Sequence, residues 1–145
     1  METSVTLQRA IELACLETIG RKTETVQLDD AAGRVLATNL ASKVDDPRFD
    51  NSAMDGWAVR VADCKAEGTT LSIVGTSKAG GEAPPEVGTG EACRIMTGAP
   101  VPEGADAIVM VEDSEEVGNT VRILGPVRPG YIRKRAENLR VGQEA

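Results

Sequence analysis

The apolar positions of this chain repeat first with a helical period and then with a period of two. Leu7, Ala10, Ile11, Ala14 and Cys15 share one helical face, with Ser4 or Thr6 placed to cap the first turn and Gly20 to end the last. Leu13 and Leu16 widen that face beyond a single stripe, so the helix packs on two sides or meets another subunit, ordinary core packing being the commoner case. Residues 25–28 then read as a short strand. Asp29 or Asp30 can cap a helix of one to two turns through 31–36, which Gly33 weakens. Residues 40–44 lead as an extended segment to Asp46-Pro47, where the proline keeps its predecessor out of helical geometry. Further strands are predicted at 57–60, 71–75, 91–96, 107–111 and 120–124, the last entered through a Gly118-Asn119 hairpin turn. The run 107–111 is apolar throughout, as in a strand buried on both faces. Residues 63–68 form a polar turn or a short helix, and 77–90, with Gly80-Gly81 and Pro84-Pro85, a long surface connection. The fold class is mainly β with a helical N-terminal segment, and the boundary between the two falls near residue 45.

Composition narrows the picture. A length of 145 residues fits about one domain, and with one Phe, one Trp and one Tyr a modest core must be built from aliphatic side chains. The formal net charge of −7 disfavours duplex nucleic acid, and the absence of histidine removes histidine–metal sites and histidine acid–base chemistry. Cys15, Cys64 and Cys93 are odd in number and widely spaced, which predicts reduced thiols in a cytoplasmic protein and no zinc site or disulfide framework. No apolar run approaches the ~20 residues of a membrane helix, and the start has no signal-peptide pattern, so no membrane partner is expected.

Candidate chemistry concentrates in 46–60, which holds the only Phe and the only Trp. Asp50, Asn51, Ser52, Asp55 and Gly56 are turn formers, so a shaped polar loop precedes the strand that carries Trp57, with Asp55 at its mouth. Asx-turn caps are commoner than catalytic aspartates, and both readings stand for Asp55 on these residues alone. Between two strands, Thr97-Gly98-Ala99-Pro100-Val101-Pro102 is stiffened by its prolines, with a hydroxyl and an outward amide on offer at Thr97 and room for close backbone approach at Gly98. An anion cradle and a plain stiff turn fit it equally. The Gly80-Gly81 loop is no P-loop, because Gly-Lys-Ser is absent, and Glu112, Asp113, Glu115 and Glu116 read as solvated surface. Arg128, Arg133, Lys134, Arg135 and Arg140 gather five of sixteen basic residues, suited to a phosphate or oxyanion or to guarding an edge strand; strand alternation would put Arg133 and Arg135 on one face and Lys134 on the other.

Phe-Asp-Asn-Ser-Ala-Met-Asp-Gly-Trp-Ala-Val-Arg at 49–60 resembles the signature of the molybdopterin molybdenumtransferases, the MoeA/gephyrin family. A second, separate similarity is Arg-Ile-Met-Thr-Gly-Ala-Pro-Val-Pro-Glu-Gly-Ala-Asp-Ala-Ile-Val-Met-Val-Glu at 94–112. The resemblance runs from the first helix through Arg-Lys-Arg-Ala-Glu-Asn at 133–138 and implies the amino-terminal region of the enzyme, with bent, forked small β-sheets. It implies a dimerisation segment at 1–45, rejoined by 125–145, and a small β domain at 46–124. The family inserts molybdate into adenylylated molybdopterin with release of AMP, in a Mg²⁺-dependent reaction. By position, Asp55 matches an active-site aspartate that could position Mg²⁺ or water or steer a proton. The substrate-binding candidates are Asn51, Ser52, Thr97, Gly98, Arg133 and Asn138. The family's basic motif usually ends Gly-Glu-Asp; Ala136-Glu137-Asn138 puts a neutral amide where an acid is usual. The resemblance also implies a homodimer and a pterin-binding domain, in cis or in trans, that completes the cleft. A non-catalytic dimerisation or scaffold module of the same fold is the alternative, and an unrelated β-rich anion-binding domain a third reading.

Overall fold

In the computed structural model, which describes residues 4–16 and 22–145, the helical period of the first segment produces α1, Leu7–Leu16. Thr6 holds its first turn: its hydroxyl accepts the Arg9 N–H at 3.2 Å and its carbonyl the Ala10 N–H at 2.9 Å. Leu7 is 79% exposed and Ile11 49%. The expected stop at Gly20 and the side chain of Leu16 lie outside the described residues. The expected strand at 25–28 and helix at 31–36 are not formed. Leu28–Asp30 is instead a single 3₁₀ turn whose preceding residue, Gln27, makes no side-chain cap, and the chain turns out of it with Gly33 at φ +77°. Chain contacts divide at residue 39, giving units Met1–Asn39 and Leu40–Ala145.

The second unit holds eight strands in two sheets. A six-stranded curled sheet has the order β5 (Ala107–Met110), β2 (Gly56–Val59), β4 (Glu91–Ile95), β3 (Thr70–Ser77), β7 (Thr120–Ile123), β6 (Ser114–Val117). A two-stranded sheet pairs β1 (Asn51–Ser52) with β8 (Ile132–Arg133). All pairings are antiparallel except β3 with β4, which run parallel to their last residues, Ser77 opposite Ile95. The hairpin at Gly118-Asn119 joins β6 to β7 as its sequence predicts. The acidic run that reads as plain surface supplies part of β6, in which Glu115 and Glu116 are both exposed while the backbone is paired by β7.

Strand alternation sends side chains to both faces of the large sheet, and each face is covered. One cluster contains Trp57, Val59, Leu71, Ala92, Val109, Val121 and Ile123; the other contains Ala58, Val87, Cys93, Ile95, Ala99 and Ile108. Two thin cores thus replace the single core that composition suggests, which is how β5 comes to be buried on both faces although it is an edge strand. Trp57 is 1% exposed and donates its indole N–H to Ser114 Oγ at 2.9 Å, while Phe49 and Tyr131 remain about half exposed. Gly56 permits the β2–β5 contact: a Cβ there would sit 1.9 Å from the Val109 carbonyl oxygen. Among the described residues, no helix is long and apolar enough to cross a membrane.

Candidate functional site

The register of β2 against β4 sets Gly56 opposite Ile95, so Asp55, just before β2, and Thr97, just after β4, emerge at the same end of the sheet. Asp55 Oδ1 accepts both the Thr97 N–H, at 2.6 Å, and the Thr97 hydroxyl, at 2.7 Å, across 42 residues of sequence. These bonds hold the Asp55 carboxyl below its ordinary pKa of 3.8, the Thr97 amide contributing most and then the Thr97 hydroxyl; burial opposes them, and the charge of Arg94 adds a lesser lowering effect. Asp55 is therefore a carboxylate at neutral pH. It is no Asx cap of its own loop, since the turn at 52–54 is closed by Ser52, whose Oγ donates to the Met54 carbonyl at 2.5 Å and accepts the Met54 N–H at 3.2 Å. The outward Thr97 amide expected for an anion is corrected: both Thr97 donors are committed to Asp55.

Thr97 and Gly98 form a tight turn closed by Ala99 N–H to the Met96 carbonyl at 2.9 Å, with Gly98 at φ +80°, a conformation L side chains rarely adopt. This turn is fastened to β1, because Gly98 N–H donates to the Ser52 carbonyl at 2.8 Å and Ser52 N–H to the Ala99 carbonyl at 3.0 Å. The Ser52 carbonyl also receives Arg133 Nη2 at 3.4 Å, a long bond, across the β1–β8 pair in which Asn51 faces Arg133. Asp55, Thr97, Gly98, Ser52 and Arg133 are thus linked through three hydrogen-bonded steps, Asp55 to Thr97, Gly98 to Ser52 and Ser52 to Arg133. Asn51 lies beside them, 7% exposed, with Oδ1 buried and unpartnered. Asn138 is held elsewhere, its Nδ2 on Asp46 Oδ2 at 3.1 Å and its N–H on the Asp46 carbonyl at 2.9 Å.

The basic cluster is mostly spent. Lys134 Nζ pairs with Asp50 Oδ2 at 2.7 Å, Arg135 N–H with Asp50 Oδ1 at 2.8 Å, and Arg135 Nε with Asp45 Oδ2 at 2.6 Å. The alternation expected for Arg133, Lys134 and Arg135 fails because β8 ends at Arg133 and the chain turns through Ala136 at φ +60°. These pairs hold Asp50 and Asp45 below the ordinary carboxylate value: Lys134 first and then the Arg135 amide for Asp50, the Val141 amide first and then Arg135 for Asp45. Sequence reasoning missed Arg94, which stacks 5.1 Å from the Trp57 ring centre and donates to the Gly56 carbonyl at 3.1 Å, so its charge lies beside Asp55. Its place three residues before Thr97 was the available signal.

Among the described residues, no cluster of three or more acidic or sulfur side chains could cage a metal. Asp55 Oδ2, which accepts no hydrogen bond from the described residues, offers one ligand position. That suits Mg²⁺ held by one carboxylate, its own waters and substrate phosphate oxygens, rather than an all-protein cage. A surface cavity of about 470 Å³ lies apart from these residues, between β5 and 125–131, and has neither Asp55 nor Thr97 in its lining.

Comparison with known proteins places this arrangement. Residues 4–145 match the MoeA N-terminal region (domain I and II). The molybdopterin molybdenumtransferase of Synechococcus elongatus is 44% identical over 126 residues, covering 82% of this chain and 31% of that protein. That of Haemophilus influenzae is 47% identical over 91 residues, covering 63% of this chain and 22% of the relative. A crystal structure of the molybdopterin biosynthesis MoeA protein from Pyrococcus horikoshii superposes with a TM-score of 0.77 at 36% identity, covering 83% of this chain and 33% of that one. A second structure of the Pyrococcus protein gives 0.75 at 34%, covering 97% and 37%. The chain spans between 22% and 37% of the length of these relatives. Carrying the Asp55–Thr97 pairing on a sheet like that of its solved relatives, this chain belongs to the MoeA N-terminal family.

Proposed function

We propose that this chain is the amino-terminal part of a molybdopterin molybdenumtransferase and contributes one wall of a site where molybdate meets adenylylated molybdopterin. The observation that carries the reading is the Asp55–Thr97 pairing, a charged carboxylate locked by two short bonds at the end of β2 and β4 and joined through Ser52 to Arg133. With its Oδ1 committed, Asp55 presents Oδ2 in a fixed orientation, as a general base or water-positioning group requires. Bound Mg²⁺ would supply charge neutralisation for a phosphate leaving group. The chain's own part is to hold Asp55 ionised and still, and to set Arg133 beside it as a forked donor for an oxyanion.

Among the apolar side chains left uncovered on this unit, Phe49 is 46% exposed, Tyr131 50% and Met54, beside Asp55 in sequence, 36%, and Tyr131 adopts the left-handed φ of +59°. A wall of this kind awaits a covering domain. The pterin-binding domain implied by the family is the proposed cover, supplied in cis or by a second subunit. The chain alone is then inactive. Incubated with adenylylated molybdopterin, molybdate and Mg²⁺ it releases no AMP above background, and adding the pterin-binding domain restores release. Asp55→Asn abolishes that restored activity, because the amide keeps an acceptor for Thr97 but cannot take a proton or hold a cation. Restored release undiminished in the Asn variant overturns the assignment of Asp55.

The exposed apolar face of α1, with Leu7, Ile11 and Leu13, favours a second role for the same chain as a dimerisation module. Light scattering at high micromolar concentration tests it. A dimer supports the role, and a monomer removes it from this chain.

A further inference from the structure

β3 and β4 are the one parallel pair in the large sheet; past a register shift between Ile73 and Gly75 they stay paired to their ends, with Ser77 opposite Ile95 and Met96 N–H donating to the Ser77 carbonyl at 3.2 Å. Two loops therefore leave the same edge side by side: Lys78-Ala79-Gly80-Gly81 from β3 and Met96-Thr97-Gly98-Ala99 from β4. Both loops are fixed at their bases. Ser77 Oγ donates to the Pro100 carbonyl at 2.6 Å, the first turn is closed by Gly81 N–H on the Lys78 carbonyl at 3.1 Å, and the Ala79 methyl lies 4.0 Å from where a Gly98 Cβ would stand. The sheet order β2-β4-β3 puts Asp55 on one flank of the Thr97 turn and Lys78 on the other.

The charges leave a task undone. Asp55 occupies both Thr97 donors, so this turn presents a negative group where the reading above requires an anion. Lys134 and Arg135 are paired with Asp50 and Asp45, and Arg133 reaches the Ser52 carbonyl. The Lys78 side chain is exposed, and its ammonium makes no hydrogen bond or ion pair with the described residues. Its ammonium sits on a flexible four-carbon stem rooted in the neighbouring turn.

We propose that Lys78 is a further substrate-contacting residue of this site, donating to a tetrahedral dianion held between the Lys78–Gly81 and Thr97–Gly98 turns, either molybdate or a phosphate group of the nucleotide-bearing substrate. This rests on the proposed oxyanion role of the Asp55–Thr97 wall. The loop that sequence reads as a surface connection becomes part of the site, and Lys78 adds a local cation to those of Arg94 and Arg133 in an acidic protein.

The experiment is a titration of the chain at low ionic strength with sodium molybdate and, separately, with inorganic phosphate, followed by the amide resonances of Ala79, Gly81, Thr97 and Gly98. Saturable shifts at these amides are expected. Lys78→Gln should weaken binding about threefold to tenfold and lower its salt dependence, and Lys78→Arg should restore it, the scale expected of one charge-assisted contact at an exposed site. Lys65→Gln, an equal change in net charge at another exposed position, should leave the affinity unchanged. A response to molybdate alone assigns Lys78 to the metal oxyanion, and a response to phosphate alone assigns it to the substrate phosphate. No saturable shift with either anion in the unaltered chain overturns the oxyanion reading of the wall itself. Saturable shifts that Lys78→Gln leaves intact, or that Lys65→Gln weakens equally, overturn the role of Lys78 and leave the wall standing.

Discussion

Position 138 shows how one side chain is read differently once its partner is visible. As sequence, Asn138 is a lost carboxylate. As structure, it is a donor to Asp46 at 3.1 Å, on a residue whose carbonyl also takes its N–H. Restoring an acid with Asn138→Asp would set two carboxylates face to face and remove a hydrogen bond. We expect it to lower stability by on the order of 0.5–1 kcal/mol at neutral pH, less at high salt, since both groups are exposed. Asp46→Asn in the same chain should recover the loss, and thermal unfolding of the two single variants and the double variant measures the coupling. If Asn138→Asp is neutral and uncoupled to Asp46, the pairing carries no energy. The strand-end places of Asp55 and Thr97 were legible from the residues, because a turn-forming motif and a proline-stiffened turn each mark a strand end, while their role at a site came only from the resemblance. Their direct bond was not, because nothing local to either tells which strand lies beside it.

Elements were legible where the pattern was local. The period of α1, the apolar run of β5 and the Gly118-Asn119 turn each declare themselves within a few residues. Apart from the helix expected at 31–36, which a local turn through Gly33 replaces, the failures concern partners. Residues 25–28 have the composition of a strand and gain no partner among the described residues; 114–117 have the composition of solvated surface and become β6 because β7 folds back onto them. Gly56 belongs to this scale too. It reads as a turn former, yet its missing side chain is what lets β5 lie against β2, with the Val109 carbonyl oxygen 1.9 Å from the position a Cβ would take. Gly56→Ala must push β5 from its place. Its cost in denaturant unfolding should therefore lie well beyond the ~1 kcal/mol of an average substitution, together with increased exposure of Trp57 to a soluble quencher. A stability within about 0.5 kcal/mol of the parent would mean that the strand pair yields freely.

Over the whole molecule, acidic side chains act as fasteners between distant parts of the second unit. Asp45 and Asp50 bind Lys134, Arg135 and Val141 across 84 to 96 residues, and Asp55 binds Thr97. All three have folded pKa values below 3.8. An unfolded chain therefore binds these protons more readily than the folded one, so their stabilising contribution is complete above pH 3.8 and is lost as pH falls through the lower folded values. Acid titration of stability should show a decline confined to that region, and Asp45→Asn with Asp50→Asn should flatten it. A decline of unchanged steepness in the double variant would place the acid sensitivity elsewhere. Such long-range pairing is also why the basic cluster was misread from sequence: its counter-ions lie near the opposite end of the unit.

The pairing of β1 with β8 also has a consequence in time. A ribosome delivers the chain from the N-terminus at roughly 5–20 residues per second, and domains assemble as their parts emerge. All six strands of the large sheet are available once Ile123 has appeared, but Ser52 cannot be bridged to Arg133 until the following segment is made. The scaffold and the wall it supports are then successive events, the second dependent on the first. A chain ending at Leu124 should bury Trp57 and unfold cooperatively while lacking the amide signature of the β1–β8 pair. A shortened chain that fails to bury Trp57 would make closure by β8 a condition of folding and not its last act.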